Sequence, residues 1–121
     1  MGHIISFIFV GVFMLVAPLG ADMYQSKYDY QWKHRLILVK ADENLIYDNQ
    51  KEIAYKNKDG FIERKLKVLT ITPNHSLIAG HPDKKVFLVG LDGGVKAMSD
   101  KAMGEQELFQ TIDAMPMRQS E

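Results

Sequence analysis

The sequence predicts an α/β domain, and three local patterns carry that prediction. Two short runs, Leu36–Val39 and Val86–Val89, are wholly apolar, as strands buried on both faces are. An Asp92-Gly93-Gly94 reversal follows the second run. The stretch from Gly104 to about Ala114 places Leu108, Phe109, Ile112 and Met115 on one helical stripe.

Residues 4–17, IISFIFVGVFMLVA, are apolar except for Ser6, with Pro18 and Gly20 just beyond. A secretory signal has an apolar core of this length followed by a helix-breaking, small-residue cleavage region. Gly20 and Ala21 suit the cut, and Leu19 suits it less. The expectation is a signal helix over residues 1–21 and a mature chain starting at Asp22, exported to the periplasm or secreted. Ile4 to Ala21 also reaches the lower edge of a membrane span, so an uncleaved anchor stays open. Residues 22–34 form an arm in which Tyr28, Tyr30 and Trp32 alternate with polar residues. An extended chain would put all of them on one face, either packed on the domain or offered as an aromatic platform to a sugar or another ligand.

The domain proper is expected over residues 35–121. Arg35–Ala41 reads as a first strand. Asp42, Glu43 and Asn44 supply helix-start chemistry, a capping side chain and negative charge near the helix N-terminus. The pattern is then helical from Leu45 to about Lys58, with Ile46, Gln50 and Ile53 on one face and Gly60 as the stop. Leu66–Thr72 is a second strand, and strand, helix and strand make a βαβ unit with parallel strands. Residues 73–85 hold Gly80 and Pro82 and show no period, so they read as loop. The third strand, Val86–Leu91, turns at Asp92-Gly93-Gly94 into an antiparallel fourth, Val95–Met98. In the closing helix Glu105 and Glu107 sit in the first turn, and Pro116 ends the element. The order β-α-β, loop, β-β-α is the plan of a thioredoxin-like single domain whose middle helix is short or missing, and a different small α/β sandwich, with another strand order, stays open.

Composition narrows the chemistry. Fifteen Lys and Arg balance fifteen Asp and Glu, and none of these charges lies in residues 1–21. The domain therefore lacks the basic footprint of a nucleic-acid binder. It also lacks a polybasic segment, so contact with a membrane is expected only through residues 4–21 if they stay attached. There is no cysteine, which removes thiol–disulfide exchange, thiol peroxidase chemistry and thiolate metal ligation. His34, His75 and His81 show no His-x₃-His spacing, Met115 and Met117 read as packing residues, and no metal or cofactor is expected. Asn74-His75-Ser76 matches a glycosylation acceptor, a pattern common by chance. No phosphate loop, Gly-x-Ser-x-Gly or zinc-protease helix occurs, and no catalytic residue is assigned.

Three stretches carry a family resemblance: WKHRLILVKA at 32–41, VFLVGLDGGVKAM at 86–98 and FQTIDAMPMRQSE at 109–121. With Gln50 and Glu63-Arg64 added, residues 30–121 resemble the DUDES-type domain of small exported bacterial proteins, shared with equarin and sushi-repeat extracellular-matrix proteins. That resemblance implies a thioredoxin-like fold and export, and no reaction. Its motif positions here are Trp32, Arg35, Gln50, Arg64, Asp92, Gly93, Gly94, Lys96, Asp113, Met115, Pro116, Met117 and Arg118. Leu91 departs from the family pattern, which has Lys before Asp-Gly.

From this set the candidate binding residues are Trp32, Arg35, Gln50, Arg64, Asp92, Lys96, Asp113 and Arg118. Arg35, Arg64, Lys96 and Arg118 would gather as a cationic pocket facing Asp113 and take an anion, or Arg118 would pair with Asp113 to pin a turn. Gln50 on an apolar face either hydrogen-bonds nearby backbone or faces a ligand. The leading functional expectation is an exported, redox-inactive binding or scaffolding module whose partner is an envelope or extracellular protein or a small ligand. The alternative is a non-thiol enzyme, or an oxidoreductase-related protein, with a site near residues 41–45. A third is a domain that completes a membrane or envelope complex.

Overall fold

The computed structural model describes residues 22–121. The expected signal helix or anchor over residues 1–21 lies outside the described residues. Among those described, no helix is long and apolar enough to cross a membrane.

A four-stranded mixed sheet forms the centre, in the order β2-β1-β3-β4. The strands are β1 (Arg35–Lys40), β2 (Leu66–Ile71), β3 (Val86–Val89) and β4 (Val95–Ser99). β1 runs parallel to β2, with Ile37 opposite Val68, and antiparallel to β3, with Ile37 opposite Leu88. β3 and β4 form the antiparallel hairpin, with an irregularity between Leu88 and Val89. The apolar runs take the two central positions because only there are both faces covered. Every residue of β1 and β3 is buried.

Alternation along the strands divides the core in two. On one face Ile37, Val39, Val68, Val86 and Leu88 pack against Tyr47, Phe61, Leu108 and Ile112 of the helices. On the other, Leu36, Leu38, Leu69, Ile71, Phe87 and Val89 are covered by Tyr24 and by Ile78 of the 73–85 connection, without a helix. Burial of each such side chain contributes about 1.5–3 kcal/mol. The arm bridges the outer edge of β2 at Thr70, where Tyr24 N–H donates to Thr70 O at 2.7 Å and Thr70 N–H to Asp22 O at 2.8 Å. That pairing satisfies both backbone groups of Thr70 on the sheet edge.

Several local expectations are corrected. The helix expected from Leu45 to Lys58 is instead α1 (Asn44–Lys56), followed after Asn57 by a second helix, α2 (Lys58–Glu63). The break is local: Asn57 Nδ2 donates to Ile53 O at 2.9 Å, an amide competing with the helix for its own backbone. Gly60 lies inside α2 rather than stopping α1. A Cβ there would stand 2.6 Å from Phe109 Cζ, so this glycine permits a close helix approach. The stop falls at Lys65, whose φ of 56° is the left-handed conformation that usually selects glycine. Helix-start chemistry at 42–44 is also not used as expected. Glu43 is the N-cap of α1 but makes no side-chain cap bond, and the first turn holds no acid. Its carboxylate instead meets Lys85 Nζ at 2.9 Å.

The closing helix is α3 (Glu105–Asp113), with Leu108 and Ile112 buried and two acids in its first turn. Met115 is extended (ψ 136°), as a residue before proline must be. Pro116 does end α3, yet it also starts a short helix, α4 (Pro116–Gln119), that the sequence reading lacked. Proline suits that first position because its missing N–H would have no helical partner. The arm is not extended either. Lys27–Asp29 form a 3₁₀ turn capped by Ser26, so the three aromatics do not share a face. Tyr30 packs inward, stacked on Tyr24 at 6.2 Å, whereas Tyr28 and Trp32 stay 76% and 59% exposed.

Candidate functional site

Arg35 opens β1, which carries its side chain inside the domain at 1% exposure. A buried guanidinium costs several kcal/mol unless carboxylates or carbonyls face it. Nη1 donates to Arg64 O and Nη2 to Glu121 Oε2, both at 2.9 Å. Nε of Arg35 is buried and has no hydrogen-bond partner among the described residues.

Arg64 caps the end of α2, which turns its guanidinium toward α3. It grips Asp113 with two parallel bonds, Nε to Oδ1 at 3.0 Å and Nη2 to Oδ2 at 2.9 Å. Its third group, Nη1, donates to Gly60 O at 3.0 Å. The guanidinium plane lies 3.9 Å from the centre of the Phe109 ring, a cation–π contact that the glycine at position 60 makes room for. Arg118, on α4, reaches three carboxylates: Asp113 Oδ1 at 3.2 Å, Glu121 Oε1 at 3.1 Å and Glu63 Oε2 at 2.5 Å.

Three arginines thus face three carboxylates, and the formal charges cancel. Hydrogen bonds from Arg64 hold the Asp113 carboxyl below its ordinary range against the opposing effect of burial, and Arg118 adds to that. For Glu121, burial pushes the carboxyl up, but bonds from Arg35 and Arg118 outweigh it and leave it lowered. The arrangement ties β1, α2, α3 and α4 together, with the Glu121 carboxylate held between Arg35 and Arg118.

Arg35, Arg64, Asp113 and Arg118, expected together from sequence, are brought together. Lys96 is not among them: its Nζ pairs with Asp92 Oδ2 at 2.9 Å in the β3–β4 turn. Asp92 also accepts Gly94 N–H at 3.0 Å, the largest of the effects lowering its carboxyl pKa. Gly93 needs its glycine there, with φ +86° and Lys27 packed over it. This turn grips the arm, since Gln31 Nε2 donates to Asp92 O at 2.9 Å and Trp32 N–H to Leu91 O at 2.7 Å. Trp32, Asp92 and Lys96 therefore belong to a second surface region.

Gln50 belongs to neither. It is fully buried, its Nε2 donates to Met103 O at 2.9 Å, and its Oε1 accepts Met103 N–H at 2.8 Å. Its amide fixes the chain just before α3. The partners missed from sequence are Glu63 and Glu121 as counter-ions and Gln31 as a turn clamp. Only Arg118 and Glu121, spaced i,i+3, left a local signal. Near residues 41–45, Glu43 is engaged by Lys85 and the Lys40 ammonium by Pro82 O at 3.0 Å. Among the described residues no group of three or more His, Asp or Glu is placed to hold a metal ion.

Residues 74–121 match a family described only as a domain of unknown function, DUF4174. The match covers the hairpin, α3, α4 and the residues Asp92, Lys96, Asp113, Arg118 and Glu121. Arg35, Gln50 and Arg64 fall outside it. No curated protein and no solved structure matches the chain.

Proposed function

We propose that this chain is an exported, redox-silent binding module on a thioredoxin-like fold, and that its partner docks on the turn carrying Tyr28 and Trp32. The fold reading is supported by the strand order β2-β1-β3-β4, by the directions of its pairings, and by helices confined to one face. On this reading, a loop and the aromatic arm stand in place of the middle helix of a thioredoxin-like domain. Likeness to the DUDES-type domain agrees with this and with export, and carries no reaction. The absence of cysteine makes thiol chemistry impossible.

One observation carries the docking reading. Trp32 takes φ 69°, a conformation costing about 1–2 kcal/mol in a residue with a side chain. The strain is enforced by the Leu91 carbonyl, yet 59% of the residue remains exposed, so burial of the indole does not offset it. Strain held in place without burial is characteristic of binding surfaces. Beside it, Tyr28 is 76% exposed, with the Lys27 ammonium 5.5 Å from its ring centre. The adjoining depression of about 340 Å³ is lined by Gln25, Ser26, His75 and Ser76 around Tyr24. Rings next to hydroxyl, amide and imidazole groups suit a sugar or a polar protein loop.

Trp32 is the only tryptophan, so indole fluorescence excited selectively over the tyrosines reports on this turn alone. Envelope extract from the source organism is passed over immobilised wild type, Trp32→Ala and the distant control Tyr55→Ala, and soluble oligosaccharides are titrated against the indole signal. The reading expects a partner, protein or glycan, that Trp32→Ala loses and Tyr55→Ala keeps. Equal capture by all three proteins together with a silent indole would overturn it. Export is tested by fractionation and N-terminal sequencing: a chain beginning at Asp22, or an intact chain in membranes, supports it, and a cytosolic chain sinks it.

A further inference from the structure

We propose that Arg35 and Arg118 form an oxyanion-binding site and that the Glu121 carboxylate is an internal ligand occupying it. The geometry is that of a bound anion. One carboxylate bridges two guanidiniums, Oε2 to Arg35 Nη2 at 2.9 Å and Oε1 to Arg118 Nη1 at 3.1 Å.

Three features separate this pair from an ordinary surface ion pair. First, Arg35 is built into the core side of β1 at 1% exposure, and Glu121 is the carboxylate that faces it. The guanidinium therefore needs an anion at that point whether or not Glu121 supplies it. Second, Arg35 Nε is a further buried donor without a partner, so the site offers more N–H groups than a planar carboxylate uses. A tetrahedral oxyanion such as phosphate can accept from more directions. Third, Glu121 lies just beyond α4, so its side chain can turn away while Arg118 stays anchored. α4 contributes no buried residue, and Gln119, Ser120 and Glu121 are held by turn hydrogen bonds to Met115 O, Pro116 O and Arg118 O. Arg118 does not leave with Glu121, because Asp113 and Glu63 hold it independently. Rotating Glu121 away leaves both arginines in place, and Lys65 adds positive potential nearby.

The ligand class is a small oxyanion carrying phosphate or carboxylate, in competition with Glu121. The test compares wild type, Glu121→Gln and the double variant Arg35→Met with Glu121→Gln. Each is melted in increasing sodium phosphate, with sodium chloride at matched ionic strength. Glu121→Gln removes the internal carboxylate charge and keeps the side-chain volume, so the neutral amide competes less well for the two arginines. The melting temperature of this variant should rise by several degrees as phosphate exceeds Kd, with about tenfold tighter apparent binding than in wild type. The double variant should respond to phosphate no more than to chloride. A Glu121→Gln protein insensitive to phosphate, or a double variant equally stabilised, would overturn the proposal. Should Glu121→Gln fold poorly, arginine Nε–H resonances of the wild type decide the matter. Selective movement of the Arg35 and Arg118 signals with phosphate supports the site, and movement matched by chloride refutes it.

Discussion

Replacing Gln50 by leucine tests how α3 is fastened to α1. The side chain is 0% exposed, and its amide both donates to and accepts from the Met103 backbone at 2.9 and 2.8 Å. Leucine fills similar volume but satisfies neither group. The Met103 N–H and C=O are then buried without partners, at about 1–3 kcal/mol each. The more favourable burial of an apolar side chain returns about 1 kcal/mol. The net loss is about 3 kcal/mol, a large part of the ~5–15 kcal/mol that holds a domain together. Urea unfolding should show a lower midpoint at an unchanged slope, and the melting temperature should fall by about 12–24 °C. Gln50→Ala should cost more, because it adds a cavity to the same unsatisfied groups. A loss under about 1 kcal/mol in the leucine variant would refute the reasoning, since it would mean that Met103 finds other partners without cost. Binding through the Trp32 turn should survive in whatever fraction stays folded, because Gln50 touches no surface.

Two other measurements bear on the same framework. Lys65 has φ 56° and an exposed side chain, while its backbone N–H donates to Ile62 O and its C=O accepts Arg35 N–H. Lys65→Gly keeps those bonds and removes the Cβ penalty, so it should raise stability by about 1 kcal/mol; a destabilised variant would show that the left-handed residue is not strained. Stability should also fall with pH in two stages. His34 has its pKa lowered by burial first and then by Lys67, Lys33 and Lys65, with the Lys65 carbonyl opposing. The unfolded chain therefore binds that proton more readily, so its contribution is complete above ~6.5 and lost as pH falls through the lower folded value. Asp92, Asp113 and Glu121 all sit below their ordinary range, so their contribution is complete above ~4 and is lost as pH falls further. Melting curves of wild type and His34→Gln from pH 8 to pH 3 check both stages, and His34→Gln should lack the first alone. A wild-type stability that rises on acidification from ~6.5 would contradict the sign.

What the sequence determined by itself was whatever is encoded over a few neighbouring residues. Leu36–Val39 and Val86–Val89 are buried strands because a short wholly apolar run has no solvent face to offer. Asp92-Gly93-Gly94 is a reversal because Gly93 alone accepts its backbone angle without cost. Leu108 and Ile112 face inward because helical spacing put them on one stripe. Arg35, Arg64, Asp113 and Arg118 were legible as a set through the family resemblance, but the further counter-ions Glu63 and Glu121 were not. Tertiary structure alone decided that Glu121 meets Arg35 across 86 positions, that Glu63 meets Arg118 across 55, and that Lys96 goes to Asp92 instead. It likewise decided that Gly60 serves the Phe109 ring and that Gln50 serves Met103. Periodicity and turn propensity act through the chain's own neighbouring bonds, whereas the partner of a buried charge, a bare glycine or a buried amide is set only when distant segments close around it and exclude water.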